Sequence, residues 1–118
     1  MRISQAFRFE AAHLLPNVAE EHRCKRLHGH SYRVELRLDG PVDPVTGFVA
    51  DFLAIERVFQ PLLDRLDHFY LNDIEGLENP TAENIAIWIW ERTKAALPQL
   101  VSVAVFETQD CFAEYDGN

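Results

Sequence analysis

Apolar and polar side chains alternate along three stretches of the chain, and a helical stripe marks two others. In residues 3–13, Ile3, Phe7, Phe9 and Ala11 fall on one face, with Gln5 the exception, and Ser4, Arg8 and Glu10 fall on the other. Period two predicts a strand with one buried side, and His13 has the parity of that side. Residues 28–39 alternate more cleanly: His28, His30, Tyr32, Val34, Leu36 and Leu38 against Ser31, Arg33, Glu35, Arg37 and Asp39. Asp39-Gly40-Pro41 ends this strand as a turn. The polar segment from Leu14 to Leu27 reads as a loop. Asp43-Pro44-Val45-Thr46-Gly47 is another turn, with Phe48-Val49-Ala50 a short extended piece. Asp51 then suits a helix N-cap, and Phe52, Ile55, Phe59 and Leu66 form a stripe aided by Leu62 and Leu63. Pro61 should kink or shorten this helix, because it removes a backbone donor. A second helix follows Asn79-Pro80-Thr81, with Thr81 as N-cap, Glu83 in the positive first turn and Ile85, Trp88 and Ile89 facing the core. It stops before Pro98. Residues 100–107 alternate again, placing Val101, Val103, Val105 and Glu107 together, and Phe112 to Tyr115 is a last short strand. The order strand-strand-helix-helix-strand-strand predicts an α+β fold, an antiparallel four-stranded sheet with two helices on one face.

Composition narrows the function classes. The 118 residues form a single unit, 1–118, with no repeat or dividing linker. The formal net charge of −8 argues against broad binding to nucleic acid or an anionic membrane, since both need clustered positive charge. No apolar run approaches the roughly 20 residues that span a bilayer. The first residues lack the apolar core of a secretory signal, so a cytoplasmic protein with free thiols is expected. Cys24 and Cys111 are too few and too far apart for a disulfide framework. So small a core leaves strand edges to be covered by copies of the chain.

The chemistry concentrates in few residues. In a strand, residues i and i+2 point the same way, so His28 and His30 project together from the apolar face. His13 does likewise from the neighbouring strand. Antiparallel pairing would bring three neutral imidazoles together, the ligand set of a catalytic zinc site with its fourth position open. A lone histidine in such a position is more often a satisfied core residue; two at i, i+2 plus a third in phase favour the metal. Cys24 lies between Arg23 and Lys25, whose charges favour a thiolate. It could serve as nucleophile, ligand or proton acceptor, or be a plain thiol, whereas Cys111 reads as structural. Asp67 can orient and raise the pKa of the adjacent His68. Glu107, on a buried strand face, needs a partner: either an Arg of the protein or a ligand edge offering two N–H donors. His22, Arg23, Lys25 and Arg26 form a basic cluster, either a solvated loop or a local anion site.

Together these residues carry a resemblance. Phe9-Glu10-Ala11-Ala12-His13, Cys24-x3-His28-Gly29-His30-Ser31-Tyr32, Phe48-Val49-Ala50-Asp51-Phe52, Leu66-Asp67-His68, Leu71-Asn72, Asn79-Pro80-Thr81-x-Glu83-Asn84 and Glu107-Thr108 occur in this order. The chain resembles the 6-pyruvoyl-tetrahydropterin synthase family nearly end to end. The short gap between Cys24 and His28 is similar to that of the 6-carboxytetrahydropterin synthases of queuosine biosynthesis. The resemblance implies the T-fold, with sheets joined into a barrel on oligomerisation as a hexamer of two trimers. It implies Zn2+ on His13, His28 and His30, Cys24 as proton acceptor, and Asp67 with His68 as the second acid/base. It further implies Glu107 as the anchor of a pterin ring, with Thr81 lining the pocket. The implied reaction converts 7,8-dihydroneopterin triphosphate and water to 6-carboxy-5,6,7,8-tetrahydropterin, acetaldehyde and triphosphate. A sister activity, pyruvoyl formation or aldol cleavage, is the nearest alternative; a zinc hydrolase and a non-enzymatic zinc or pterin binder are the others.

Overall fold

A computed structural model describes residues 1–118. Its elements are β1 (Arg2–His13), β2 (His28–Asp39), α1 (Phe52–Leu66), α2 (Ala82–Thr93), β3 (Leu100–Phe106) and β4 (Phe112–Tyr115), with short 3-10 turns at Arg23–Lys25 and Leu71–Asp73. The strands form one antiparallel sheet in the order β1-β2-β3-β4. β1 and β2 pair without a slip from Arg2↔Asp39 to His13↔His28. Twelve residues of strand reach about 40 Å, which is why the molecule measures 56 × 24 × 23 Å. Its radius of gyration is 15.3 Å, against about 13.5 Å for a compact chain of this length.

The alternation seen in the sequence separates two sheet faces. Phe7, Phe9, Tyr32, Val34, Leu36, Leu38, Val103 and Val105 are buried against Ile55, Phe59, Leu62 and Leu66 of α1 and Ile85, Ala86 and Ile89 of α2. Truncating any of the fully buried leucines or Phe59 to alanine removes apolar contact and leaves a cavity, at a cost of about 2–5 kcal/mol. The opposite face carries a ladder of charge. Arg37 bonds Glu35 at 2.7 Å and Glu114 at 2.8 Å, Arg33 pairs with Glu35, and the Ser102 hydroxyl donates to Glu114 at 2.6 Å. No helix packs on this face.

Both helix starts follow from their caps: the Asp51 carboxylate accepts from Leu53 N at 2.9 Å and the Thr81 hydroxyl from Asn84 N at 3.1 Å. Five local expectations are corrected. Pro61 lies inside α1 without shortening it; Pro61 and Arg57 are exposed, so water can reach the carbonyl that loses its partner. Phe52, at the first turn of α1, is exposed rather than in the stripe. Phe48–Ala50 is an irregular, bent segment with no strand partner, although Val49 is buried. The β2–β3 register shifts between Arg37 and Leu38, so that Leu100 opposes Leu38 and Ser102 opposes Arg37. Val101 is the extra residue of this bulge, and Leu100 takes its expected core place. β3 also ends at Phe106, leaving Glu107 just beyond the strand.

Candidate metal centre

The unbroken β1–β2 register decides the site. His13 opposes His28 and Ala11 opposes His30, so the three histidines meet at the far end of the hairpin on the helix-covered face. Their rings stand edge-on, with centroids 4.5, 5.0 and 4.9 Å apart, and their ligand nitrogens lie within 4.8 Å of one another. His13 is fully buried.

Hydrogen bonds set the tautomers. His13 Nδ1 lies 2.8 Å from the Pro80 carbonyl and His28 Nδ1 lies 2.7 Å from the Arg26 carbonyl. A carbonyl only accepts, so both Nδ1 atoms carry the proton and both Nε2 atoms are left with lone pairs. Those two Nε2 atoms face each other at 3.0 Å. Two acceptors at that distance repel unless something positive lies between them. Tetrahedral coordination at zinc–nitrogen distances near 2.05 Å would put two ligand nitrogens about 3.3 Å apart. His30 Nε2 is buried and has no hydrogen-bond partner. Glu107 Oε1 is 3.4 Å from it, within ion-pair range but not aligned as a hydrogen bond, so it does not satisfy the ring. The Nε2 atoms of His13 and His28, oriented by backbone carbonyls and with the Tyr32 hydroxyl 3.5 Å from the first, fit a zinc ion together with the unpartnered His30 Nε2, and a neutral ring is what a metal needs. Burial holds the pKa values of His13 and His30 below the ordinary histidine range, outweighing the Pro80 carbonyl at His13 and the nearby Glu107 charge at both.

Sequence reasoning missed two partners of the triad. The Tyr32 hydroxyl is 3.2 Å from His13 Nδ1. Burial first, and then the Glu107 charge, push its pKa far above the ordinary tyrosine value, so it stays protonated. Its parity with His28 and His30 was the available signal. The Pro80 carbonyl is a main-chain group brought from another part of the chain, and no residue type announces it.

Asp67 and His68 do come together. Asp67 Oδ1 is 3.0 Å from His68 Nδ1 and accepts from Glu10 N at 2.9 Å. That backbone donor, with lesser help from His68, holds the Asp67 carboxyl below the usual carboxylate range. The His68 amide donates to the Glu10 carbonyl at 2.6 Å, and His68 takes a φ of 65°, a left-handed conformation that costs a non-glycine residue about 1–2 kcal/mol. A cavity of about 490 Å3 is lined by both His30 and His68. Glu107 lines a smaller recess of about 260 Å3 beside Ala82, Glu83 and Phe112. The exposed Cys111, read as structural from the sequence, opens into the same recess.

Cys24 stands apart from the triad's ligand group, which contains the three histidines alone. It sits half-buried in the 3-10 turn before β2, its carbonyl accepting from Leu15 N at 2.8 Å and its amide donating to His22 Nδ1 at 3.0 Å. In the basic cluster, Lys25 is occupied, with Nζ 2.6 Å from the Pro16 carbonyl and 3.7 Å from Glu20. Arg23 and Arg26 are exposed.

A four-stranded antiparallel sheet with two helices on one face, and at the end of its long hairpin three histidines that could hold a metal ion, defines a T-fold protein. Residues 2–118 match the family described as 6-pyruvoyl tetrahydropterin synthase, and the chain belongs to that family. It is 44% identical over 119 residues to a 6-carboxy-5,6,7,8-tetrahydropterin synthase of Synechocystis sp., covering 96% of this chain and 91% of the relative. It is 40% identical over 97 residues to a dihydroneopterin monophosphate aldolase of Pyrococcus furiosus, covering 82% of this chain and 78% of the relative. Among solved structures, the 6-pyruvoyl tetrahydropterin synthase of Caenorhabditis elegans superposes with a TM-score of 0.91 at 28% identity, covering 100% of this chain and 96% of the other. No helix is long and apolar enough to cross a membrane.

Proposed function

We propose that this chain is a zinc-dependent lyase of queuosine biosynthesis, a 6-carboxy-5,6,7,8-tetrahydropterin synthase. It would act in the cytoplasm on 7,8-dihydroneopterin triphosphate and water, giving 6-carboxytetrahydropterin, acetaldehyde and triphosphate. One observation carries the reading: two carbonyl-oriented imidazoles whose lone pairs face each other at 3.0 Å, with a third ring left unsatisfied beside them. The 44% identity to the Synechocystis 6-carboxy-5,6,7,8-tetrahydropterin synthase supports this choice among the sister activities.

His13, His28 and His30 would hold the zinc ion, which supplies Lewis acidity toward the side-chain hydroxyls of the substrate and so acidifies the adjoining C–H bonds. The residues of the chain do the rest. Cys24 accepts a proton from carbon as the thiolate. His68, oriented by Asp67 at 3.0 Å, gives or takes the second proton. Glu107 accepts two N–H bonds from the edge of the pterin ring, which fixes the reacting carbons between the two bases. Thr81, at the start of α2, lines the pterin pocket. Arg23 and Arg26 stand free to meet the triphosphate. The charged, helix-free sheet face and the elongated shape support closure of several sheets into a barrel, in a hexamer of two trimers.

The test is incubation of zinc-loaded protein with 7,8-dihydroneopterin triphosphate and mass identification of the products. Acetaldehyde together with the carboxy product is expected. The 40% identity to the Pyrococcus furiosus aldolase favours a second reading, aldol cleavage, which would leave the shortened pterin and no carboxy product. Zinc uptake without turnover would make the chain a binder. In Cys24→Ala, zinc should be retained and turnover should fall about 100-fold or more; unchanged turnover would remove the thiol from the reaction.

A further inference from the structure

We infer that Asn72 is a positioning residue for the metal ligand His13, an inference that rests on the triad being a metal centre. Ala12 and Tyr70 form a parallel bridge, with Ala12 N donating to the Phe69 carbonyl at 3.2 Å. Two residues further on, the next rung would join Leu14 to residue 72. The main chain has by then turned away, with Asp73 N bonding the Tyr70 carbonyl at 3.1 Å and Ile74 N the Leu71 carbonyl at 3.0 Å. The side-chain amide of Asn72 makes the rung instead. Its Oδ1 accepts from Leu14 N at 3.1 Å, and its Nδ2 donates to the Leu14 carbonyl at 2.9 Å. The same Nδ2 lies 3.4 Å from the Glu78 carbonyl.

One amide thus clamps the residue after His13 to the residue two before Pro80, whose carbonyl orients the His13 ring. Apart from the His13–Pro80 bond itself, no other hydrogen bond joins residues 13–15 to residues 78–81. The 2.8 Å contact that fixes the His13 tautomer therefore depends on where Asn72 holds the two segments. A ligand must be held within about 0.5 Å of its productive place, and outer partners of metal-bound histidines typically change affinity by about 10–100-fold. Asparagine meets the demand through its length and its paired donor and acceptor; aspartate lacks the donor and glutamine is longer by one methylene.

The experiment measures zinc affinity of the full chain by competition with a chromophoric chelator, alongside the visible absorption of the cobalt-substituted protein and far-UV circular dichroism. Asn72→Ala is expected to keep its secondary structure, to bind zinc about 10-fold more weakly or worse, and to show an altered cobalt spectrum. Asn72→Asp, which keeps the acceptor for Leu14 N and loses the donors, should fall between that variant and the parent. A purely structural role would lower the melting temperature and leave affinity and spectrum alone. Parental affinity and spectrum in folded Asn72→Ala would overturn the inference; should that variant not fold, the same result in Asn72→Asp would overturn it. Failure of the parent chain to bind zinc at all would overturn the metal reading along with it.

Discussion

The two halves of the site are both held by β1, yet they are finished to different degrees. At the strand's end, His13 is fully buried, and carbonyls from two other segments orient His13 and His28. At the strand's outer edge, Asp67 and His68 are held through the main chain of Glu10, and their side chains are 41% and 77% exposed. The ligand set is complete within one chain. The Asp67–His68 pair has its strained backbone and its 3.0 Å contact but stays open to water. A buried neutral ring suits metal binding, because burial disfavours the charged form. The role proposed for Asp67 and His68, proton transfer, asks first for orientation, which the Glu10 main chain supplies. If the proposed function holds, the difference makes metal binding separable from proton transfer, because the two depend on different contacts.

The contrast can be broken most severely from the triad side. His28→Ala should lower zinc affinity by more than about 100-fold, since a lost ligand costs more than a lost outer partner; equilibrium dialysis with metal analysis measures it. Turnover should vanish with the metal. From the edge side, Asp67→Asn should lower turnover by about 100-fold or more while zinc content per chain stays at the parental value. Equal loss of zinc in this variant would show that the two halves are not separate. A smaller effect of opposite sign is expected from His68→Gly. Glycine adopts the φ of 65° without steric cost, so the variant should be more stable by up to about 1 kcal/mol in a thermal melt while turnover falls.

The smallest effect is in pH. The Asp67 carboxyl has a folded pKa below its ordinary 3.8. The unfolded chain therefore takes up this proton first as pH falls, so the stability that Asp67 contributes is full above 3.8 and is lost as pH falls through the lower folded value. The difference in melting temperature between the parent and Asp67→Asn should be constant near neutrality and shrink below that point. A difference that persists unchanged in stronger acid would assign the Glu10 contact to geometry rather than to carboxylate charge.

Much of this was legible in the residue pattern. Period two in 3–13 and 28–39 predicts the strands, and the shared parity of His13, His28 and His30 predicts the triad, because side-chain direction in a strand is local geometry. The caps at Asp51 and Thr81 were equally readable, since each is a contact within one turn. The misplaced elements have a common cause. Val101 was given to the core by parity, but the bulge opposite Arg37 and Leu38 shifts the count by one, and a bulge is settled between two strands. Pro61 was given too much weight, because propensity yields to the packing of Phe59, Leu62 and Leu66.

Residue type and spacing alone thus determined which side chains could bind a cation, which face they share, and which family the chain resembles. Only the tertiary structure decided what orients them: the Pro80 carbonyl on His13, the Tyr32 hydroxyl beside it, the Glu10 amide on Asp67 and the Asn72 amide on Leu14. Three of these four contacts use a main-chain group from a distant part of the chain. Every residue carries the same amide and carbonyl, so the sequence does not distinguish which of them will be brought within 3 Å of an imidazole; only the packing of the helices against the sheet does.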